Sequence, residues 1–220
     1  MSVDRDSELG VPFPGRVVPE DRWTRTALPD DGRVFDWDRV FGRRAPRVVD
    51  LGCGTGRFLI GSAAGRPDHD HLGIEVVDRL ASQAARRADR RGLANVRFVA
   101  GDAVPWLFDH LAADSVDEIH LYHPQPYFNS AEKGKRILTP EFLDRVWRVL
   151  RRGGLFVVQT DHAAAWRYLL HAVSKHFEAE PVHGPWPDAP EGRTRREISG
   201  AFPIGSEAPV GAPPIPSPLS

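Results

Sequence analysis

Cysteine is almost missing from this chain: Cys53 stands alone among 220 residues. One thiol excludes an intrachain disulfide and any multi-cysteine metal centre, and no metal site is expected. Long apolar runs are missing too. No stretch approaches the roughly 18 uninterrupted apolar residues that a membrane span needs, which excludes an integral membrane helix. The first residues, Met1-Ser2-Val3-Asp4-Arg5-Asp6, are polar and acidic with no apolar segment behind them. A secretory signal is therefore not expected, and the cytoplasm is the expected compartment. An excess of one charge is also lacking. The formal net charge is -1, so there is no global basic field, and any nucleic acid must be held by local patches. What is there is the composition of a soluble globular chain, 41% hydrophobic and 27% charged, long enough for one domain with tails.

Proline and glycine, 20 of each, gather toward the two ends. Residues 1–33 mix acids, prolines and glycines with little periodicity and read as an extended arm. Residues 204–220 end in Gly211-Ala212-Pro213-Pro214-Ile215-Pro216-Ser217-Pro218, which reads as a disordered tail unable to join a ladder or a helix. Residues 34–203 form the expected domain, where strand-like and helix-like segments alternate. Strands are expected at 47–51, 71–75, 96–100, 116–122 and 155–159, with a final pair at 177–183 and 195–203. Helices are expected at 58–64, 78–91, 103–111, from Thr139 to about Leu150, and at 163–176. Repeated β-α-β alternation implies a mostly parallel sheet with helices on both faces. Ligands in such sheets sit at the carboxyl ends of the strands, where Asp50, Glu75, Asp102, His123 and Asp161 gather.

Asp50-Leu51-Gly52-Cys53-Gly54-Thr55-Gly56 follows the first strand and opens a helix. Glycines let this turn be tight and let a ligand come close, and the helix amino terminus adds N–H donors for a carboxylate or phosphate. A dinucleotide fingerprint would be G-x-G-x-x-G. Counted from Gly52 its third glycine falls on Arg57, and counted from Gly54 it is missing, which disfavours NAD and FAD. Glu75 ends the second strand about twenty residues past the loop, where a carboxylate can take both hydroxyls of a ribose. Asp102 reads either as a ligand contact or as a helix cap. Cys53 reads as a small loop filler.

The loop and its acids resemble the first motifs of the class I S-adenosylmethionine-dependent methyltransferases. That resemblance implies a Rossmann-like, mostly parallel seven-stranded α/β fold with S-adenosylmethionine as cofactor. It places Asp50, Gly52, Gly54 and Gly56 against the methionyl part, Glu75 on the ribose and Asp102 beside the adenine. The segment after the fourth strand narrows the family. Leu121-Tyr122-His123-Pro124-Gln125-Pro126-Tyr127, the basic positions Lys133, Lys135 and Arg136, and Ile137-Leu138-Thr139-Pro140-Glu141-Phe142-Leu143 run in frame. They resemble the bacterial tRNA (guanine-N7)-methyltransferases, which carry Phe-Phe-Pro-Asp-Pro-Trp, a basic run and Arg-Arg-Ile-x-x-Pro-Glu-Phe-Leu there. Phe41-Gly42 with Pro46, Thr160-Asp161, and Thr194 with Glu197 match three further family motifs. The resemblance spans about residues 36–203 and implies tRNA as partner and guanine N7 as the methyl acceptor.

Three departures bear on the acceptor. Gln125 replaces the family's aspartate, His123 its second phenylalanine, and Asn129-Ser130-Ala131 a Lys-Lys-Arg run. Neutral guanine N7 carries no proton, so the reaction needs positioning and charge stabilisation more than a base. A carboxylate at 125 would read guanine's N1–H and N2–H₂ donors, whereas glutamine keeps one acceptor and adds donors. The expected catalytic group is Asp161, Gln125 and His123. His123 reads either as a base for a protonated nucleophile or as a merely hydrogen-bonded histidine. Asp161 reads as a base contact or as a cap for the helix near Ala163. Tyr127, Lys133, Arg136, Asp161, Thr194, Arg195 and Glu197 are the expected substrate contacts. Arginines also cluster at 86, 87, 90 and 91 and at 145, 148, 151 and 152, as solvated faces or phosphate contacts.

The leading expectation is thus a tRNA guanine-N7 methyltransferase, monomeric or homodimeric. Two alternatives stay open: a divergent methyltransferase acting on another RNA or a small heteroaromatic, and a homologue that binds S-adenosylmethionine or RNA without turnover.

Overall fold

Alternation along Arg47–Leu51 sends Val48 and Val49 to opposite faces, and both are fully buried, as a strand covered on two sides requires. The computed structural model describes residues 6–125, 127, 130–184, 192–199 and 205–214. In chain order, β1 (Ser7–Glu8) and β2 (Val11–Pro12) form a small hairpin, followed by β3 (Ala27–Leu28) and α1 (Trp37–Phe41). Then come β4 (Arg47–Leu51), α2 (Arg57–Gly65), β5 (Asp70–Glu75), α3 (Asp78–Asp89), β6 (Val96–Ala100), α4 (Ala103–Asp109) and β7 (Val116–Tyr122). The chain continues through α5 (Pro140–Val149), β8 (Leu150–Gln159), α6 (Ala163–Val173), β9 (Phe177–Gly184), α7 (Arg195–Ile198) and β10 (Gly205–Pro214).

The main sheet runs β3-β6-β5-β4-β7-β8-β10-β9. β3 to β8 are parallel, and β10 lies antiparallel to both β8 and β9. The Rossmann-like expectation holds, with eight strands in this sheet among the described residues in place of the seven expected. Two cores lie on opposite faces. One joins Val48, Phe58, Leu59, Ala84, Ala88 and Phe98 under α2 and α3. The other joins Val49, Leu72, Leu107, Phe142, Val146 and Leu169 under α4, α5 and α6. Thr139 caps α5 by accepting from the Phe142 N–H at 3.2 Å, with Pro140 at the first helical position, as the sequence signals predict.

Three segments differ from expectation. The arm is not merely extended: β3 adds to the sheet edge beside β6, although two residues are too few to show a period in sequence. The strand expected at 195–203 is the short helix α7 in its first part, and residues 200–203 lie outside the described residues. The proline-rich tail does enter the ladder, as β10. Proline has no N–H to donate, yet Pro209 stands in register opposite Pro181; of the two irregularities, the one between Gly205 and Ala208 contains no proline and the one between Gly211 and Pro214 does. Only Val210 and Gly211, which keep their N–H groups, are in register with β8. Residues 204 and 215–220 lie outside the described residues.

Some arginines of the two clusters turn toward the protein, while Arg86, Arg148 and Arg152 stay exposed. The Arg145 guanidinium donates to the carbonyls of Leu107, Phe108 and Leu111, closing the end of α4. Arg151 pairs with Asp117 at 3.0 Å. Arg87 and Arg91 hold the arm, pairing with Asp6 at 3.2 and 2.8 Å and lying over the buried Phe13 ring. Arg91 also donates to Pro14 O at 2.6 Å, with a wholly buried side chain. Removing one partner of such a cluster costs about 3–5 kcal/mol. Arg91→Ala should therefore lower the unfolding free energy in urea by about 3 kcal/mol. A loss under about 1 kcal/mol would mean that the arm is not fastened here.

Candidate functional site

The carboxyl ends of β4 and β7 meet around a cavity of about 210 Å³; Glu75, at the end of β5, is not among its lining residues. One wall is the loop between β4 and α2. The N–H groups of Gly52 and Cys53 both donate to Ile74 O, at 2.8 and 3.0 Å, so the loop is fastened to β5. Gly52, Gly54 and Gly56 all have positive φ, at 81°, 54° and 78°. Their roles differ. A Cβ on Gly52 or Gly54 would meet no atom within 4 Å, so these two leave open space above the loop. A Cβ on Gly56 would stand 2.7 Å from the Ala84 Cβ and 3.1 Å from the Phe98 ring, so this glycine lets α2 pack on α3.

Glu75 braces the loop it faces. Its Oε2 accepts from the Gly54 N–H at 2.8 Å and its Oε1 from the Val77 N–H at 2.9 Å. Each oxygen keeps a second lone pair. Asp50 lines the cavity with 2% of its surface exposed, and its Oδ1 has no hydrogen-bond partner among the described residues. Burial, helped by the nearby Glu75 charge, pushes its carboxyl up to about 8. Cys53 packs against Gly73, where a Cβ would come within 2.8 Å of its sulfur. Burial raises its thiol well above the usual range, so it is a filler and not a nucleophile. Asp102 accepts from the Val104 N–H at 3.0 Å as the cap of α4; it is exposed and lies off the cavity wall.

The opposite wall joins the end of β7 to the segment around α7. His123 has a φ of 51°, and its N–H donates to Gln159 O at 2.7 Å. The ring turns inward, with Nε2 3.1 Å from the Thr194 hydroxyl and Nδ1 3.9 Å from Asp161. Burial lowers the affinity of His123 for a proton; Asp161 and Glu197 raise it in part and Arg196 lowers it further. Thr194 and Glu197 form a capping box on α7: Thr194 Oγ1 accepts from the Glu197 N–H, and Glu197 Oε2 accepts from the Thr194 N–H at 2.6 Å. Glu197 Oε1 accepts from the Gln159 amide at 2.8 Å. The Thr-x-x-Glu motif thus shapes the wall through its own backbone, in a helix start and not in a strand.

Asp161 is bound by the Arg196 guanidinium. It does not cap α6, since the cap is His162, whose Nδ1 accepts from the Ala164 N–H. Arg195 lines the cavity, largely exposed, with its Nε 3.8 Å from Glu8. Gln125 is exposed and Tyr127 half-buried, and neither reaches the cavity wall. Lys135 lies 5.9 Å from the Tyr127 ring and Arg136 lies 4.4 Å from the Tyr168 ring. The Lys133 side chain is outside the described residues.

Three residues of the site carried no usable sequence signal. Arg57, the first residue of α2, is buried, lines the cavity and donates to Pro12 O at 3.0 Å and Gly192 O at 3.4 Å. In sequence it marks only the missing third glycine of a dinucleotide loop. Glu8 accepts from the Thr55 hydroxyl at 3.2 Å across 47 positions. Tyr122 lines the cavity, as does Arg196, which also binds Asp161. Arg57 directly follows the glycine loop, whereas Glu8 and Tyr122 stand at no spacing that links them to it.

The family model "Putative methyltransferase" matches residues 44–199. A tRNA (guanine-N(7)-)-methyltransferase of Nocardia farcinica is 34% identical over 93% of this chain and 74% of its own length. One of Halorhodospira halophila is 33% identical over 91% of each chain. Among solved structures, the 16S rRNA methyltransferase KamB superposes with a TM-score of 0.57, covering 87% of this chain and all of its own, at 16% identity. That last likeness bears on the fold alone. The sequence relatives cover nearly the whole chain, and with the glycine loop, the braced acid and the capping box in place, the chain belongs to the tRNA (guanine-N7)-methyltransferase family.

Proposed function

We propose that this protein transfers a methyl group from S-adenosylmethionine to guanine N7 in tRNA. The observation that carries the proposal is the cavity between the glycine loop and the His123–Thr194 wall, lined in part by Asp50, whose buried Oδ1 has no hydrogen-bond partner among the described residues. The residues present fit the donor. Open space over Gly52 and Gly54 admits its methionyl part, and the spare lone pairs of Glu75 suit ribose hydroxyls. Asp50 suits a cationic centre, and Arg57 and Arg195 give positive charge for a carboxylate. When bound, S-adenosylmethionine supplies an electrophilic methyl on a sulfonium.

The rest is positioning. Guanine N7 attacks with a lone pair and loses no proton, so no residue here has to act as a base. His123 is held by Thr194 and kept neutral by burial, which suits a wall that does not repel the sulfonium. Asp161 meets the acceptor as half of an ion pair with Arg196, not as a free carboxylate. Gln125, Tyr127, Lys135 and Arg136 lie beyond the cavity wall, on the stretch where the family carries its aspartate and basic run.

Labelled S-adenosylmethionine with unmodified tRNA tests the proposal, with an active family member as control. Label should enter tRNA, and borohydride–aniline cleavage should place it at a guanine N7. Restoring the carboxylate by Gln125→Asp should raise kcat/KM for tRNA about tenfold, mostly through KM, since a charged acceptor binds guanine's donors more tightly. A second reading, transfer to another RNA or a small heteroaromatic, is favoured by Gln125 and by the inward-turned Arg87, Arg91 and Arg145. Absence of label in tRNA, with label appearing in one of those acceptors, would replace the first reading by the second.

A further inference from the structure

We propose that Tyr122 is a positioning residue, whose hydroxyl, oriented by His120 and Glu118, ties the α7 segment to the base of the donor cavity. Glu118, His120 and Tyr122 are two residues apart on β7 and share one face. Phe58 packs over the last two, with ring centres 4.6 and 4.9 Å away.

The direction of each hydrogen bond follows from chemistry. Arg66 donates to Glu118 Oε1 at 2.7 Å. Burial alone would raise the Glu118 carboxyl, but hydrogen bonds from His120 and Arg66 outweigh it and bring it to about 2. Glu118 is therefore a pure acceptor, and the His120 Nε2, 3.1 Å from its Oε2, must carry the hydrogen. His120 is fully buried and burial lowers its proton affinity, so the ring is neutral and Nδ1 is an acceptor. The Tyr122 hydroxyl lies 3.1 Å from Nδ1 and must donate to it. Its oxygen lone pairs then face Arg193, whose Nη1 donates at 3.3 Å. Arg193 also lies 5.6 Å from the Phe58 ring.

Arg193 immediately precedes Thr194, which holds His123. The segment that supplies Thr194, Arg195 and Arg196 to the cavity is thus fastened twice to the end of β7, once through each of two adjacent residues. Tyr122 itself lines the cavity. The inference rests on the reading of this cavity as the donor site only for its effect on binding; the network can be tested without a ligand.

Nitrogen-15 NMR at pH 8 should show His120 protonated at Nε2 and bare at Nδ1. Tyr122→Phe should speed amide exchange across residues 192–199. Calorimetry with S-adenosylhomocysteine then gives a double-mutant cycle. Tyr122→Phe and Arg193→Gln should each weaken binding about fivefold, and the double variant should be no weaker than either, because they remove the same tie. The conservative Arg193→Lys should recover part of the loss. A protonated Nδ1, unchanged exchange in Tyr122→Phe, or losses that multiply in the double variant would overturn the proposal. A wild-type protein that binds no S-adenosylhomocysteine would instead overturn the donor site, with NMR and exchange still deciding the network.

Discussion

Replacing Asp50 by asparagine is expected to make the ligand-free protein more stable at neutral pH while removing most of its affinity for S-adenosylmethionine. The reason is the raised carboxyl. Burial and the neighbouring Glu75 bring Asp50 to about 8 in the folded protein, against about 3.9 in an unfolded chain. The folded state therefore holds a proton that the unfolded state has already lost between these values. Stability from this group is fully present below about pH 4 and falls as pH rises toward about 8. At pH 7 the deficit is on the order of a few kcal/mol, and Asp50→Asn removes it. Urea unfolding at pH 5, 6, 7 and 8 should show the gap between variant and wild type widening with pH. A parallel pair of curves would mean that Asp50 is ionised in the folded protein.

The binding arm has the opposite sign. A cation beside Asp50 favours its ionised form, so donor affinity should increase with pH up to about 8 and binding should release a proton near neutrality. Calorimetry in buffers of different ionisation enthalpy reads that proton directly. Asparagine offers a neutral oxygen in its place, and a lost charge-assisted hydrogen bond weakens binding about tenfold or more. The proton release should vanish with it. Stability and binding are thus opposed at one atom, the unpartnered Oδ1, a trade expected where a site is built for a ligand.

The second large effect separates two glycines that look alike in sequence. At Gly56 an added methyl would stand 2.7 Å from the Ala84 Cβ, at a φ of 78°. Neither the helix contact nor the backbone can absorb it, so Gly56→Ala should cost about 3 kcal/mol or more of stability. At Gly52 the φ is 81° but the Cβ would meet nothing within 4 Å. Gly52→Ala should cost only about 1–2 kcal/mol of backbone strain. Its methyl would instead stand in the space assigned to the donor, and S-adenosylhomocysteine binding should fall about tenfold or more while the fold persists. Urea melts and calorimetry on the two variants decide the matter. Equal losses of stability, or intact binding in Gly52→Ala, would count against donor placement over this turn.

Much of the architecture is legible because it rests on local rules. β4 falls at Arg47–Leu51 as its short β-branched run suggests, β7 at Val116–Tyr122 as expected, and α5 begins where Thr139 and Pro140 signal it. The glycine loop and Glu75 are legible because turn geometry and strand-end placement leave a periodic mark. Roles that depend on partners are not. Asp102, Thr194 and Glu197 read as ligand contacts, yet each satisfies backbone N–H groups at a helix start. Capping and ligand binding call for the same polar side chains at the same strand ends, and local sequence does not separate them. Arg87, Arg91 and Arg145 fail for a related reason: a charge run shows no direction until the segments that receive it are folded beside it.

Local patterning was enough for the α/β order, the parallel sheet and the turn over which a donor would lie, because hydrophobic period, caps and glycines act over a few residues. Long-range packing settled the rest. It brought Glu8 to Thr55, Arg57 to Gly192, Arg193 to Tyr122 and Arg196 to Asp161, pairs 35 to 135 positions apart whose meeting no spacing encodes. It also drew a proline-rich segment into the sheet, between β8 and β9.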